Sequence, residues 1–481
     1  MLILCSRSDL DKRKRNDDWQ ERKRRKRAEG DNAFGANPFS QEEIAAESRR
    51  PKRKVAVLMG YAGTGYKGMQ INGTEKTIEG DLFSAFVAAG AISKANADDP
   101  KKSSLARCAR TDKGVHAAGN VISLKMIIED PDIVKKINDQ LPPQIRVWAI
   151  DRTNNSFNCY HSCDSRFYEY LMPSYSLLPP HPESYLWKQL MGSAEELGKS
   201  DELRAGLEDV WDWWKEVEER DIRPFLNSLD PELLARVQKR LAKGEGLDLM
   251  GGQDTGETDG SAADAEPAQA PETANSGDAQ AATDGGEARA KPRQPSPVDF
   301  VLRDLRILYV AAKRRYRITP TRLERLQAAL DEYRGTHNFH NYTIQKGAKD
   351  PSAKRLIKSF YVEPTPVVIG DTEWLSLKVH GQSFMMHQIR KMVAMAALVA
   401  RCGTPLALIP ETYGPTRIAV PKAPSLGLWL ERPVFGGYNS KIEGNEERKA
   451  IDFAPYDAQI REFKDREIYA RIYKTEEEEG T

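Results

Sequence analysis

The chain has no apolar run long enough to cross a membrane. Its most marked stretch, Met392 to Ala400, is far shorter than the ~20 residues a span needs, and Arg390, Lys391 and Arg401 bracket it. No secretory leader pattern is visible at the N-terminus, so a soluble, intracellular protein without a membrane partner is expected. Cysteine is scarce: Cys5, Cys108, Cys159, Cys163 and Cys402 are the five in 481 residues, at irregular spacing. An odd, irregular set excludes a disulfide framework and points to a reducing compartment. Cys159, His161 and Cys163 are close in sequence, but no second ligand pair stands at structural zinc spacing. Packing is expected there, with a structural zinc as the alternative. Aromatic residues vanish from Gly244 to Asp299, which fill instead with Ala, Gly, Asp, Glu, Pro, Ser and Thr. Such a segment has too little apolar surface to offset the entropy of ordering it, so a disordered acidic insertion is expected.

What the chain does hold is unevenly spread. The net charge of +1 hides basic residues crowded near the N-terminus and an acidic run, Glu476 to Glu479, near the other end. Two basic clusters, Lys12 to Arg15 and Arg22 to Arg27, read as a nuclear localisation signal or a nucleic-acid arm. A nuclear import receptor is therefore an expected partner, and the nucleus the expected location. From Lys54, VAVLMGYAGTGYKGMQ gives a β-rich run and a glycine-rich turn, and Glu79 to Ala89 has helical apolar spacing. VISLKMII and IRVWAIDRT read as strands around the helix DIVKKINDQL, and Phe167 to Met172 as a further strand. This order predicts an α+β fold with helices packed on one face of a sheet. Trp187 to Lys243 is helix-rich, with Trp211, Trp213 and Trp214 expected to pack. Helical patterns resume at Phe300 and Pro320. VVIGDTEWLSLKVHGQSF reads as a hairpin, and MMHQIRKMVAMAALVARCG as a helix stopping at Gly403.

One short segment carries chemistry. ARTDKGVHA, Ala109 to Ala117, isolates the carboxylate of Asp112 in a turn that Gly114 permits, between the cations Arg110 and Lys113. A carboxylate so flanked stays ionised at neutral pH, which suits a nucleophile or base and not a general acid. YAGTGYKG lacks the lysine-serine ending of a phosphate loop, so it reads as a strand-to-loop turn where Tyr66 and Lys67 can meet RNA. His116, His337, His340 and His387 suit RNA contact or packing better than a metal, and no metal site is predicted from them. Arg390 stands in an otherwise apolar helix, where an unpaired cation is costly, so a charge partner is expected.

The set YAGTGYKGMQ, ARTDKGVHA, SRFYEYL, GTHNFHNYT, GQSFMMHQIRKMV and APSLGLWLERPVF, in order over Tyr61 to Phe435, resembles the TruA-type tRNA pseudouridine synthases. Within that family the motifs look most like a eukaryotic branch acting on several anticodon stem and loop positions. His116 separates it from a sister branch that modifies the lower anticodon stem. The resemblance implies two ferredoxin-like halves forming one antiparallel sheet, with a central catalytic cleft between basic walls. It implies Asp112 as the catalytic acid, acting as nucleophile or base, with Tyr168 stacking on the target base and Arg390 as the partner of Asp112. It also implies that Arg110 fills the space of the flipped nucleotide. Lys113, His116, His337 and His340 join Tyr66 and Lys67 as expected RNA-binding residues. The chemistry needs no cofactor, and the expected partners are tRNA and other structured RNAs. A monomer is expected, because the insertion and the C-terminal extension could cover a dimer surface. The chain is expected to divide into a disordered basic arm (1–50), an N-terminal half (51–165) and a C-terminal half with a helical insert (166–243 and 300–435). The disordered insertion (244–299) and a C-terminal extension (436–481) complete it. A catalytically silent RNA-binding protein on the same scaffold is the competing expectation.

Overall fold

The computed structural model describes residues 37–243, 296–445 and 447–479. Both basic clusters and nearly all of the acidic insertion lie outside the described residues. The chain forms two compact units. The larger comprises residues up to 177, 318–400 and 404–479, and the smaller comprises 178–317 and 401–403.

The larger unit is built on a ten-stranded sheet. Its first half runs β1 (Arg53–Tyr61), α1 (Ile78–Ala88), β2 (Ala106–Arg107), β3 (His116–Met126), α2 (Ile133–Gln140) and β4 (Ile145–Arg152). Its second half runs β5 (Ser165–Pro173), α3 (Pro320–Asp331), β6 (Gly335–Asn338), β7 (Lys354–Val362), β8 (Val367–Ile369), β9 (Thr372–Gly381), α4 (Gln388–Arg401) and β10 (Leu428–Val434). The strand orders β4-β1-β3-β2 and β10-β5-β9-β7 are the same arrangement twice, each a βαββαβ unit of ferredoxin-like type. The expectation of one antiparallel sheet needs correction at the joint. There β10 pairs with β3 in parallel, Trp429 opposite His116 and Leu430 opposite Ala117. The reason is that β2 is two residues long and pairs only at Ile122 and Ser123, leaving the start of β3 open to a strand from the other half.

Strand β1 is buried at all but its first residue, which accounts for a near-continuous apolar run instead of alternation: both faces of the sheet are covered. Val55, Val57 and Met59 point to the helical layer, with Leu82, Phe86, Leu330 and Met392. Ala56 and Leu58 point to the other face, where Trp148, Trp429, Phe453, Phe463 and Ile468 form a second core. Helices on one face alone were expected; the C-terminal extension, with α5 (Asp457–Phe463) and α6 (Ala470–Glu479), supplies the second layer. Trp148 and Phe463 meet edge to face, centroids 5.4 Å apart.

Other boundaries also differ. Residues 37–50 are not a disordered arm: Ser40 and Glu43 cap a short helix in both directions, and Glu47 accepts from the Lys94 N–H at 2.8 Å. His337 lies on β6, paired with Arg355 of β7. In the smaller unit the helix expected from Phe300 starts at Pro297, where Ser296 and Asp299 form a capping box, and continues to Arg315. Trp214 packs there with Val217, Val237, Leu305 and Tyr309, so the tryptophan cluster belongs to a core.

Candidate active site

Asp112 begins a turn that the Val115 N–H closes by donating to the Asp112 carbonyl at 3.2 Å. Gly114 occupies it at φ +76°, a conformation most side chains resist. The glycine-rich segment after β1 packs against this turn. A Cβ on Gly63 would stand 2.3 Å from the Val115 carbonyl oxygen, and one on Gly68 3.1 Å from that of Thr111. These glycines are thus required by backbone meeting backbone, not by a phosphate. On the buried side the Thr111 and Tyr61 hydroxyls lie 2.8 Å apart, and Asn120 Nδ2 donates to Tyr61 Oη and to the Ala109 carbonyl, both at 3.1 Å. Burial pushes the Tyr61 hydroxyl up to about 12, so it stays neutral and acts as a brace.

Three further segments converge on the turn. Tyr168, on β5, is nearly buried and meets Phe384 edge to face at 5.3 Å; burial, more than the partly opposing Arg166 charge, raises its phenol well above the ordinary range. Residue 387 precedes α4, its carbonyl accepting the Lys391 N–H, and His387 takes φ +62°. That backbone brings His387 Nδ1 to 3.2 Å from Asp112 Oδ2, with 11% of the histidine side chain and 31% of the aspartate side chain exposed. Arg390, buried at one turn along α4, donates from Nε to the Ala423 carbonyl at 2.6 Å. His387 is thus a close neighbour of Asp112 from the same helix start that carries Arg390, the expected partner of this carboxylate. Through this bond Arg390 ties α4 to the segment Ala423 to Gly427. Tyr170 Oη donates to Pro424 from one side of that segment, and Ser425 lies against Gly114 on the other. Arg166, which composition alone did not single out, donates to the carbonyls of Cys108 and Gln382 at 2.9 and 3.1 Å. It links the approach to Asp112 with the approach to α4.

The family pattern described as tRNA pseudouridine synthase matches residues 329–436. The chain is 44% identical over 438 residues to tRNA pseudouridine synthase 1 of Yarrowia lipolytica, covering 90% of this chain and 73% of that protein. It is 44% identical over 420 residues to the protein of the same name from Saccharomyces cerevisiae, covering 87% and 67%. The chain belongs to the tRNA pseudouridine synthase family. It is 36% identical over 388 residues to a tRNA pseudouridine(27/28) synthase of Saccharomyces cerevisiae, covering 80% and 85%. Membership makes the chain an isomerase.

Pseudouridine synthases must also hold RNA, and the residues expected to do so divide by burial. Arg110, Lys67 and Lys113 are exposed around the turn. Arg110 lines a cavity of about 220 Å³ with Arg107, Asn158, Tyr160 and His161. His337 is half-buried, stacked on Tyr413 at 4.4 Å. Three others need correction, because they have almost no surface to offer. His116 is fully buried, accepts the Gly63 N–H on Nδ1 at 3.0 Å, and is held down to about 4 by burial; it is a neutral strut between the glycine-rich segment and β3. His340 is likewise buried. Tyr66 is buried and donates to Asp81 at 2.7 Å, with Lys76 over its ring. Sequence reasoning also missed a cationic group: Lys391 feels both Arg417 and Lys422, and burial first, then these charges, lowers its ammonium. Basic residues from two segments far apart in the chain give no signal until the fold gathers them. Among the described residues no three His, Cys, Asp or Glu side chains are placed to hold a metal.

Proposed function

We propose that the chain isomerises uridine to pseudouridine in tRNA at several anticodon stem and loop positions, and in other structured RNAs such as spliceosomal small nuclear RNA and messenger RNA. The observation that carries this reading is Asp112, one-third exposed on a turn packed backbone to backbone against glycines, with Tyr168 among its neighbours. The higher identity to the synthase 1 relatives than to the 27/28 synthase supports the broader specificity over the sister one. In the reaction the bond from the ribose anomeric carbon to N1 breaks, the bond to C5 forms, the C5 proton leaves and N1 gains one. Nothing is oxidised or reduced, so no cofactor is needed. The uridine must leave its stack, a step enzymes of this kind drive by filling and stacking contacts. Asp112 acts at the sugar, as nucleophile or as base. Tyr168 stacks on the extruded base, and its neutral phenol stands ready near C5. Arg390 partners Asp112 and, through Ala423, organises the floor of the site. Arg110, Lys67, Lys113 and the Lys391 group take phosphates. A monomer acting in the nucleus, delivered by an import receptor that reads the basic clusters, completes the proposal. The test is Asp112→Asn with purified protein and tRNA. Turnover should vanish while affinity stays within about tenfold, since phosphate contacts supply most binding. Turnover near wild type would remove Asp112 from the chemistry and with it this reading.

A further inference from the structure

The contact between His387 and Asp112 has no counterpart elsewhere in the described chain: a non-glycine residue held at φ +62° whose ring nitrogen stands 3.2 Å from the carboxylate. A left-handed backbone at a side-chain-bearing residue is unfavourable and persists only where its surroundings fix it. They do so here. The Gln388 N–H donates to the Met385 carbonyl at 3.1 Å, the Gln388 side chain accepts the Met385 N–H at 2.9 Å, and Thr343 Oγ1 donates to the Met386 carbonyl at 3.0 Å. The helix-start strain is spent on aiming one imidazole. Nδ1 is at ion-pair distance from Oδ2 without the alignment of a hydrogen bond. Loose contacts of this kind in an empty site tighten when substrate closes it.

We propose that His387 is a positioning residue for Asp112: its Nδ1 engages Oδ2, fixes the carboxylate plane and turns Oδ1 toward the ribose of the extruded uridine. The inference rests on the reading of Asp112 given above. Arg390, one turn further, anchors the same helix to Ala423, so the imidazole is carried by an element that cannot slide. The half-buried Lys391 points its ammonium to the Asn341 carbonyl, away from this task.

Because strain and contact are separable, three substitutions test the idea. His387→Asn keeps a nitrogen donor and tolerates φ > 0; His387→Gly keeps the backbone and removes the donor; His387→Asp tolerates φ > 0 but sets a like charge against Asp112. Each is measured as full-length protein in single-turnover reactions at saturating tRNA, with tRNA affinity and melting temperature beside it. The Gly variant should slow by about tenfold to a hundredfold, the range expected when a reacting group is left unoriented, with affinity within about threefold. The Asn variant should recover most of that loss, and the Asp variant should be slower than the Gly variant. Equal rates for Gly and wild type, equal defects for Gly and Asn, or a defect confined to affinity would each overturn the inference. Should the Gly variant not fold, an Asp variant as fast as the Asn variant would overturn it as well. Asp112→Asn run in parallel keeps the two claims apart: if that variant turns over, the role of Asp112 fails, whereas a dead Asp112→Asn beside a normal His387→Gly sinks only His387.

Discussion

At the scale of single residues, the site is held by contacts that leave no room. Gly63 shows this most sharply, since its Cβ would enter backbone atoms of Gly114 and Val115 and not a flexible side chain. Gly63→Ala should therefore cost about 1–3 kcal/mol of stability, the usual price of overpacking, and lower turnover more than affinity, because the turn under Asp112 must move. Gly192→Ala, in a helix with open space around it, is the control and should be neutral or slightly stabilising. Comparing melting midpoints and single-turnover rates of the two decides whether the glycine-rich segment is a packing surface. The turn that displays Asp112 was legible from nine residues, because Gly114 and the flanking cations are local facts. The role of His116 was not. It lies in the same motif, yet its burial depends on β10, far along the chain, so no local pattern could distinguish a strut from an RNA contact. His387 escaped for a related reason: its positive φ is a property of the turn before α4, and nothing in MMHQIRK announces it.

At the scale of elements, strands with an apolar pattern of their own were readable, and β6 and β7 were not. β1 and β3 are buried on both faces, β4 keeps an apolar centre at the sheet edge, and α4 has helical spacing over Gln388–Arg401. β7, KRLIKSFYV, mixes cations with apolar residues because it lies toward the sheet edge, and β6 is only four residues long; neither carries a strong periodic signal. The tie between α4 and the segment before β10 gives a test at this scale. Arg390→Lys cannot reproduce the Nε donation to Ala423, so it should loosen that segment, lower turnover and cost about 1–3 kcal/mol, the loss expected when a buried acceptor is left unpaired. tRNA affinity should change little. A variant with normal turnover and melting would show that the tie is dispensable. Combining Arg390→Lys with Asp112→Asn should lose no further turnover, since residues serving one step are non-additive.

At the scale of the whole molecule, acid should find the weak point of the fold. His116 sits fully buried and neutral, held down to about 4 against an ordinary value near 6.5, and His181 in the smaller unit is lowered similarly by burial. A depressed histidine contributes stability that is whole above about pH 6.5 and is lost as pH falls toward 4, because the unfolded chain binds the proton first. For His116 the loss approaches roughly 3 kcal/mol, and melting midpoints measured from pH 7.5 downward should fall across that window. His116→Asn, which keeps an acceptor for Gly63, should flatten the fall; an unchanged slope would mean that His116 is not the group responsible. Deleting residues 1–36 leaves the capped helix in place, so the purified enzyme should keep its turnover while a tagged protein shifts toward the cytoplasm; nuclear accumulation of the truncated protein would end the localisation proposal. The parallel joint between β3 and β10 bears on how the enzyme comes into being. His116 and Ala117, which continue directly from the Asp112 turn, pair with Trp429 and Leu430 on one side, while Ala117 faces Tyr61 of β1 on the other. During synthesis the Asp112 turn thus emerges early and waits for the last strand before the start of β3 is paired on both sides. Nascent and truncated chains ending before β10 carry Asp112, Tyr168 and Arg390 yet lack the strand that lies beside His116, so on the proposed reading an incomplete copy should be silent toward RNA.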